Sequence, residues 1–554
     1  MHMPWLPALR PDAKTRKKLS IKPGHAATNS RVKSQSVPRP EASLSDGLRR
    51  FLYLTALVTG AAILVVEILG AKMLTPYLGT SHFVWTAQIT VTLIALAAGY
   101  SLGGWWVDRR PELSRLYAIL LVAAMGLCLT VVVREPVVQS CLRFQLAWGA
   151  LLSSMVLFFV PLTLLATTGP FLVRVLTRSV ASVGGQVGRI SALSTLGSVA
   201  GTLLIGYIML PRLSHSMAMY STAGSLAVLA AIYFAAWGRR QVRGLPLIIL
   251  VWASLGCVWM GAQGSPARWP AHLIERYRAS SNFGLIQVLE TADGRRRYYL
   301  NDWLMQNSYD TVDKRSASLF TYLLHGLAHA YTPRIDAALC IGLGVGCVPM
   351  DLARQGVRVD VVEINPSIVP VAERFFGLEP ARLNITAGDG RFFINRSPPH
   401  QYDTIILDAF LGDSSPSHLM TREAFAAMRA ALKPGGTLVV NSFVDFEPGL
   451  DFMAASLERT LRSVFQQVRI HDATTGNVFY VASDQADLQI IHPPDPGQVD
   501  PWVRRDFEAA LTNLRTTRPE SGRILTDDFN PVEVLDAPNR EALRRRLAWD
   551  WMGS

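Results

Sequence analysis

The chain runs through two regimes of hydrophobic pattern. From Phe51 to Gly261 it is apolar, broken only by short joints rich in arginine or turn residues. About seven apolar runs, centred near Ala61, Ile94, Ala123, Val156, Val199, Ala227 and Leu250, each approach the ~20 residues that a helix needs to cross a bilayer. The first run holds Glu67 in ILVVEILG. An ionisable residue inside a span is costly, so it either meets a cation or polyamine in a polar cavity or lies shallow and pairs structurally. The second run ends in GGWWVDRR, with Trp105 and Trp106 at an interface and charge just beyond. The fifth, STLGSVAGTLLIG, is rich in small residues that let helix backbones approach closely.

After Gly261 the period changes. Residues 262–279 read as a linker. Residues 280–312, with GLIQVLETADGRRRYYLND alternating on both sides of Asp293-Gly294, predict a β-hairpin subdomain. A helix is expected over about Ser316 to Ala330. Strand-like apolar runs then alternate with helical ones: DAALCIGLGVG, VRVDVVEINP, LNITAGDGRFFI, YDTIILDAF and, after a helix and a Pro-Gly-Gly turn, TLVVNSF. This alternation predicts an α/β domain over 313–540 with a doubly wound, mostly parallel sheet. Residues 541–554 read as a tail.

Composition agrees with a membrane part joined to a soluble one. The 554 residues exceed a single domain, half are hydrophobic and 17% are charged. Much of the net charge of +12 sits in residues 1–50, where Lys14, Arg16, Lys17, Lys18 and Lys22 cluster without apolar periodicity. That arm is expected to be disordered. No aromatic residues interleave with its charges, so nucleic acid is not an expected partner. It also lacks the apolar core of a cleaved signal peptide. Cys128, Cys141, Cys257, Cys340 and Cys347 have neither zinc spacing nor a disulfide framework and read as small buried residues. His325 and His329 lack a carboxylate motif and read as packing residues, so no metal is expected. The arm and the joints holding Arg109, Arg110 and Arg115, then Arg174, Arg178 and Arg189, then Arg239, Arg240 and Arg243, are the basic ones. The Lys/Arg bias makes them cytoplasmic, and seven spans then place the C-terminal half on the other side.

Ligands of doubly wound sheets bind beyond the carboxyl ends of the strands. The chemistry-bearing residues fall there: Gly342, Gly344 and Gly346, then Glu363, Asp389-Gly390, and Asp408. The glycines permit a tight turn and close backbone approach to a ligand. Glu363, ending the next strand, suits two ribose hydroxyls. Asp389 suits an adenine amine. The glycine run lacks the full G-x-G-x-x-G order, since Pro349 follows, which favours a mononucleoside over a dinucleotide.

IGLGVG, VVEINP, AGDGRFFI, YDTIILDAF and LKPGG in this order resemble the spermidine synthase family within the class I methyltransferase-like folds. The resemblance covers roughly Ser280 to Asp528. ILVVEILG, ALAAGYSLGG, STLGSVAGT and LTDDFNPVE resemble bacterial members fused to a membrane domain. The resemblance implies transfer of an aminopropyl group from decarboxylated S-adenosylmethionine to a diamine such as putrescine. It assigns Gln306 to the cofactor, Glu363 to ribose, Asp389 and Gly390 to adenine, and Asp408 to proton acceptance. Asp413, Asp527 and Asp528 are placed at the acceptor pocket.

Three features depart from the family. Val345 stands where an acid usually precedes the last glycine, Phe320, Thr321 and Tyr322 replace a Tyr-His-Glu, and the loop after Asp408 is stretched in DAFLGDSSP. Two alternatives stay open: a methyl or alkyl transferase using S-adenosylmethionine, and a non-catalytic nucleoside or polyamine sensor coupled to the spans. The expected partners are a small amine and the lipid bilayer, with a homodimer as one assembly open to such a chain. The expected location is a multi-pass cell membrane protein. A cytoplasmic donor favours a cytoplasmic site, against the Lys/Arg bias.

Overall fold

The computed structural model describes residues 44–78, 82–177, 183–210, 212–238, 245–262, 269–410 and 416–542. Most of the basic arm, residues 543–554 of the tail, and Asp413 lie outside the described residues.

The apolar half is helical. Helices α1 (Asp46–Leu78), α2 (His82–Arg109), α3 (Leu113–Cys141), α4 (Leu146–Ala166), α5 (Thr168–Leu176), α6 (Val183–Leu203), α7 (His215–Ala236) and α8 (Leu245–Ala262) cover the seven expected centres, with α5 continuing α4. Among the described residues, six helices are long and apolar enough to cross a membrane, α4 and α5 counting as one. The 18-residue α8 lies beyond these six.

Small residues set the helix spacing. A methyl group added at Gly197 of α6 would run into the Leu57 carbonyl of α1, and one at Gly60 into the Ser194 carbonyl. Ser198 Oγ donates to the Gly60 carbonyl at 3.0 Å across the same seam. This is the close backbone approach that STLGSVAG allows. On α2 the buried Thr92 hydroxyl donates to the Gln88 carbonyl at 2.9 Å.

The soluble half opens with an antiparallel sheet of β1 (Leu273–Ser281), β2 (Gly284–Thr291), β3 (Arg296–Asn301), β4 (Leu304–Asp310) and β5 (Arg315–Ser316), paired in sequence order. The expected hairpin is its β2–β3 pair, turning at Gly294 with φ 72°. The sheet extends past the 280–312 boundary at both ends, and β1 occupies residues assigned to a linker. Strand β1 reads LIERYRASS, whose charged residues hide the apolar signal.

After α9 (Leu319–Tyr331) come β6 (Ala337–Ile341), α10 (Cys347–Arg354), β7 (Arg358–Glu363), α11 (Ile368–Phe376), β8 (Asn384–Ala387), α12 (Gly390–Ile394), β9 (Tyr402–Leu407), α13 (Arg422–Ala431), β10 (Leu432–Phe443), α14 (Phe452–Arg462), β11 (Gln467–Asp472), β12 (Asn477–Ser483), α15 (Arg504–Thr512) and α16 (Val532–Leu535). The sheet order is β11-β12-β10-β9-β6-β7-β8. Strands β10, β9, β6, β7 and β8 run parallel, and β12 and β11 close one edge antiparallel.

Alternation along the strands builds two cores. Ala338 and Cys340 of β6 face a core with Leu323, Leu327, Val371 and Phe507. Ala337, Leu339 and Ile341 face the opposite one with Phe425, Met428, Leu457 and Leu461. The sheet is therefore covered by helices on both faces. The Pro-Gly-Gly turn lies inside β10, where the register with β9 shifts between Leu432 and Thr437.

The two halves touch at one end of the helices. The His82 amide, at the start of α2, donates to Glu533 Oε2 at 3.1 Å, and the Leu146 amide, at the start of α4, to Glu541 Oε2 at 3.2 Å.

Candidate active site

Strand order reverses beside β6: the chain goes from β6 to β7 on one side and reaches β9 on the other. A crevice forms at such a switch point. Here a cleft of about 940 Å³ lies beyond the strand ends and under the β1–β5 sheet. It is lined by Gln306, Gly342, Gly344, Glu363, Asp389, Gly390 and Asp408, seven of the residues singled out in the sequence.

The turn after β6 is built by close approach. Gly342 has φ 102°, and a methyl there would run into the Asp408 carbonyl. A side chain would separate the ends of β6 and β9. A methyl at Gly390 would meet Ile341 Cγ2 at 2.5 Å, so the start of α12 is seated directly on β6.

Glu363 ends β7 and braces the turn. Its Oε2 accepts from the Leu343 amide at 2.9 Å and its Oε1 from the Asn365 amide at 2.8 Å. Each oxygen keeps a lone pair for a ribose hydroxyl. Burial raises its pKa, opposed by these backbone bonds. Asp389 caps α12: its Oδ1 accepts from the Phe392 amide at 3.0 Å, while Oδ2 lies 2.8 Å from His418 Nε2. Burial pushes its carboxyl up, but the Phe392 amide and His418 outweigh this and hold it below the usual range.

Asp408 follows β9 at the cleft floor. Asn441 Nδ2 donates to its Oδ1 at 2.9 Å, and Asn477 Nδ2 donates to Asn441 Oδ1 at 3.0 Å. Burial pushes the Asp408 carboxyl up to about 6; the Asn441 bond opposes this and the Glu363 charge adds to it. A carboxylate with that pKa is a stronger base than an exposed aspartate and is still ionised at neutral pH.

The structure sets three sequence-derived residues apart from the cleft. Gly346 does not line it; with φ 87° it begins α10, and a methyl there would meet Leu378 Cδ1 at 2.5 Å. Asp527 is clasped by Arg391 Nη2 at 2.8 Å and Thr421 Oγ1 at 2.6 Å. Asp528 is exposed beside it. Neither aspartate lines the cleft, and the Asp527 clasp joins the C-terminal segment to α12. Val345 is 1% exposed and packs in the core behind the turn. Phe320 lines the cleft, whereas the Tyr322 hydroxyl is bound to the Ser316 carbonyl at 2.6 Å.

Residues that the sequence did not single out also line the cleft: Asn307, His418, Asn441, Asn477 and Trp502. Asn441 belongs to VVNSF near the carboxyl end of β10, so the strand-end rule was the one signal that pointed to it.

No family model matches the chain. A polyamine aminopropyltransferase of Vibrio vulnificus is 31% identical over 237 residues, which cover 41% of this chain and 78% of that protein. A probable polyamine aminopropyl transferase of Bifidobacterium longum is 28% identical over 291 residues, 49% of this chain and 63% of that protein. The spermidine synthase structure from Thermotoga maritima overlays with a TM-score of 0.34 at 20% identity, covering 41% of this chain and 78% of that one. On the Vibrio relationship, the chain belongs to the polyamine aminopropyltransferase (spermidine synthase) family and is a transferase.

Proposed function

We propose that the chain is a membrane-tethered aminopropyltransferase that moves the three-carbon amine of decarboxylated S-adenosylmethionine onto a small diamine such as putrescine. The observation that carries this reading is the Asp408 carboxyl, raised to about 6 by burial, in the same cleft as the nucleoside-suited Glu363 and Asp389. Glu363 receives the ribose hydroxyls, and Asp389 with Gly390 receives the adenine edge.

An amine acceptor arrives largely as ammonium, because its pKa lies near that of lysine, about 10.4. It gives one proton to Asp408, which frees a nitrogen lone pair. That nitrogen attacks the carbon next to the sulfonium as the C–S bond breaks. The bond's electron pair returns to sulfur, leaving neutral methylthioadenosine and an amine longer by one aminopropyl unit. The Asn477–Asn441 chain holds Asp408 in place for this step, and the fixed geometry lowers the entropic cost of bringing two substrates together.

The cleft domain is joined to the helices where α2 and α4 begin. The joint carrying Arg109 and Arg110 borders the opposite end. Read through the Lys/Arg bias, these contacts support a cleft facing away from the cytoplasm.

Methylthioadenosine release tests the reading. The detergent-solubilised protein should release it from decarboxylated S-adenosylmethionine only when a diamine is present. S-adenosylhomocysteine formed from S-adenosylmethionine, with no methylthioadenosine, would replace aminopropyl transfer by methyl transfer.

A further inference from the structure

Two tryptophans on α2 set the depth of the helical half. Trp85 and Trp105 stand twenty residues apart, about 30 Å of helix. That length matches the hydrocarbon core of a bilayer, about 30 Å. Both rings are exposed on the helix surface, where tryptophan marks the two interfaces. At the Trp105 end the Arg109 guanidinium stacks on the ring at 3.9 Å. The other end carries Trp85, Trp148 of α4 and Phe144 in the joint before α4, all exposed. His82 and Leu146, which begin α2 and α4, therefore lie at headgroup depth.

The C-terminal segment of the cleft domain is tied to those two residues. Glu533 accepts from the His82 amide and lies 3.3 Å from His82 Nδ1, and Glu541 accepts from the Leu146 amide. The tie fixes the depth of the residues around Glu533. The next two, Val534 and Leu535, are 50% and 44% exposed, and Phe529, four residues before, is 51% exposed. Phe392 of α12 is exposed beside them, because its neighbour Arg391 is held by Asp527. Arginines lie over both rings: Arg523 over Phe529 and Arg396 over Phe392. Of the carboxylates in the segment, Asp527 and Glu533 are engaged by Arg391 and His82. Exposed apolar side chains rimmed by charge mark a contact surface. At headgroup depth the lipid itself is the occupant: acyl chains take the apolar groups, and phosphates meet the arginines.

We propose that Phe392 and residues 529–535 form a lipid-contact face of the cleft domain, with Phe529, Val534 and Leu535 reaching below the phospholipid headgroups. The face depends neither on which group the cleft transfers nor on which side of the membrane the cleft lies. It also reaches the cleft: Gly390, which begins α12, lines it, and Asn530 Nδ2 donates to the Ser417 carbonyl at 2.9 Å, next to the cleft-lining His418.

Photocross-linking of the full-length protein in vesicles tests this. The vesicles are phosphatidylethanolamine and phosphatidylglycerol doped with a phospholipid that carries an aryl diazirine on its acyl chain near the headgroup. Adducts are mapped by mass spectrometry after trypsin, which releases Ile524–Arg540 as one peptide. That peptide should carry lipid adducts, as should those holding Trp85 and Trp148. The peptide Ile470–Arg504, with the exposed Ile490, Ile491 and Trp502, is the comparison: if exposure alone drew lipid, it would collect as many. Val534→Gln together with Leu535→Gln should remove most adducts from 524–540 and leave those at Trp85 and Trp148, which report that the helices remain folded in the bilayer. Adducts at the helices with none on 524–540 would overturn the proposal. Equal labelling of 470–504, or undiminished labelling of 524–540 in the double variant, would do the same. Protein–protein cross-links on 524–540 in place of lipid adducts would overturn it in favour of a second copy of the chain on this face.

Discussion

Asn441 donates its side-chain amide to Asp408 across neighbouring strands at 2.9 Å, and Asn477 in turn holds Asn441 at 3.0 Å. Two neutral amides thus fix a carboxyl that burial has made more basic than usual. The arrangement orients Asp408 with neutral groups: the Asn441 hydrogen bond lowers its basicity, but by less than the full charge of an arginine would.

Asp408→Asn should cut the turnover number by about 10²–10⁴-fold, the range for loss of a general base, while methylthioadenosine still binds. The same change bears on stability. The folded-state pKa is raised, so between the unfolded value near 3.9 and the folded value of about 6 the native protein holds more protons, and stability falls as pH rises. At pH 8 the wild-type fold carries the full penalty of an ionised buried carboxyl, which the asparagine lacks. Thermal melts at pH 8 should find the variant no less stable than wild type.

The pH profile of kcat/KM should rise on its acid side with a midpoint near the Asp408 value of about 6, since the carboxylate is the active form. Asn441→Ala removes the hydrogen bond that favours the carboxylate, so the midpoint should move upward. A pH–rate profile of both proteins checks the direction.

Gly342→Ala should abolish transfer and destabilise the soluble half. The φ of 102° is strained for any L side chain, and the new methyl would run into the Asp408 carbonyl. Backbone strain of this kind costs about 1–3 kcal/mol before the clash is added. Gly344→Ala meets no neighbour within 4 Å and should be the milder change. Chemical denaturation of the two variants side by side measures the difference.

In the helical half, Gly197→Leu should force α6 away from α1, because even a methyl meets the Leu57 carbonyl. The expected result is a lower melting temperature in detergent, with Gly188→Leu, which meets nothing within 4 Å, as the near-neutral comparison.

Sidedness can be read by reporter fusions at the C-terminus. The contacts of Glu533 and Glu541 with the starts of α2 and α4, taken with the basic joints at the other end, predict an active alkaline phosphatase fusion and a dark green fluorescent protein fusion. The opposite pattern would place the cleft in the cytoplasm. A cleft on the outer face needs its donor delivered across the membrane.

Legibility in the sequence followed physical scale. Strand-end residues such as Glu363 and Asp408 stood out because period, glycine turns and chain order all agree at those points. Gly346 shared that pattern, yet its positive φ serves the start of α10 and its packing on Leu378. The β1 strand was hidden because the charged residues Glu275, Arg276 and Arg278 interrupt its apolar alternation. Asn307, Asn477 and His418 are isolated polar residues with no spacing to mark them. The Asp527–Arg391 pair spans 136 residues, a separation that no local pattern encodes.

The central claim is aminopropyl transfer with Asp408 as base, and the amine product is its most direct measure. Purified protein would be given decarboxylated S-adenosylmethionine and putrescine, and the amines followed by mass spectrometry. The account predicts an amine one aminopropyl unit heavier, formed in equal amount with methylthioadenosine and nearly absent with Asp408→Asn. An unaltered amine pool, alongside a control enzyme that works, or full product formation by Asp408→Asn, would contradict it.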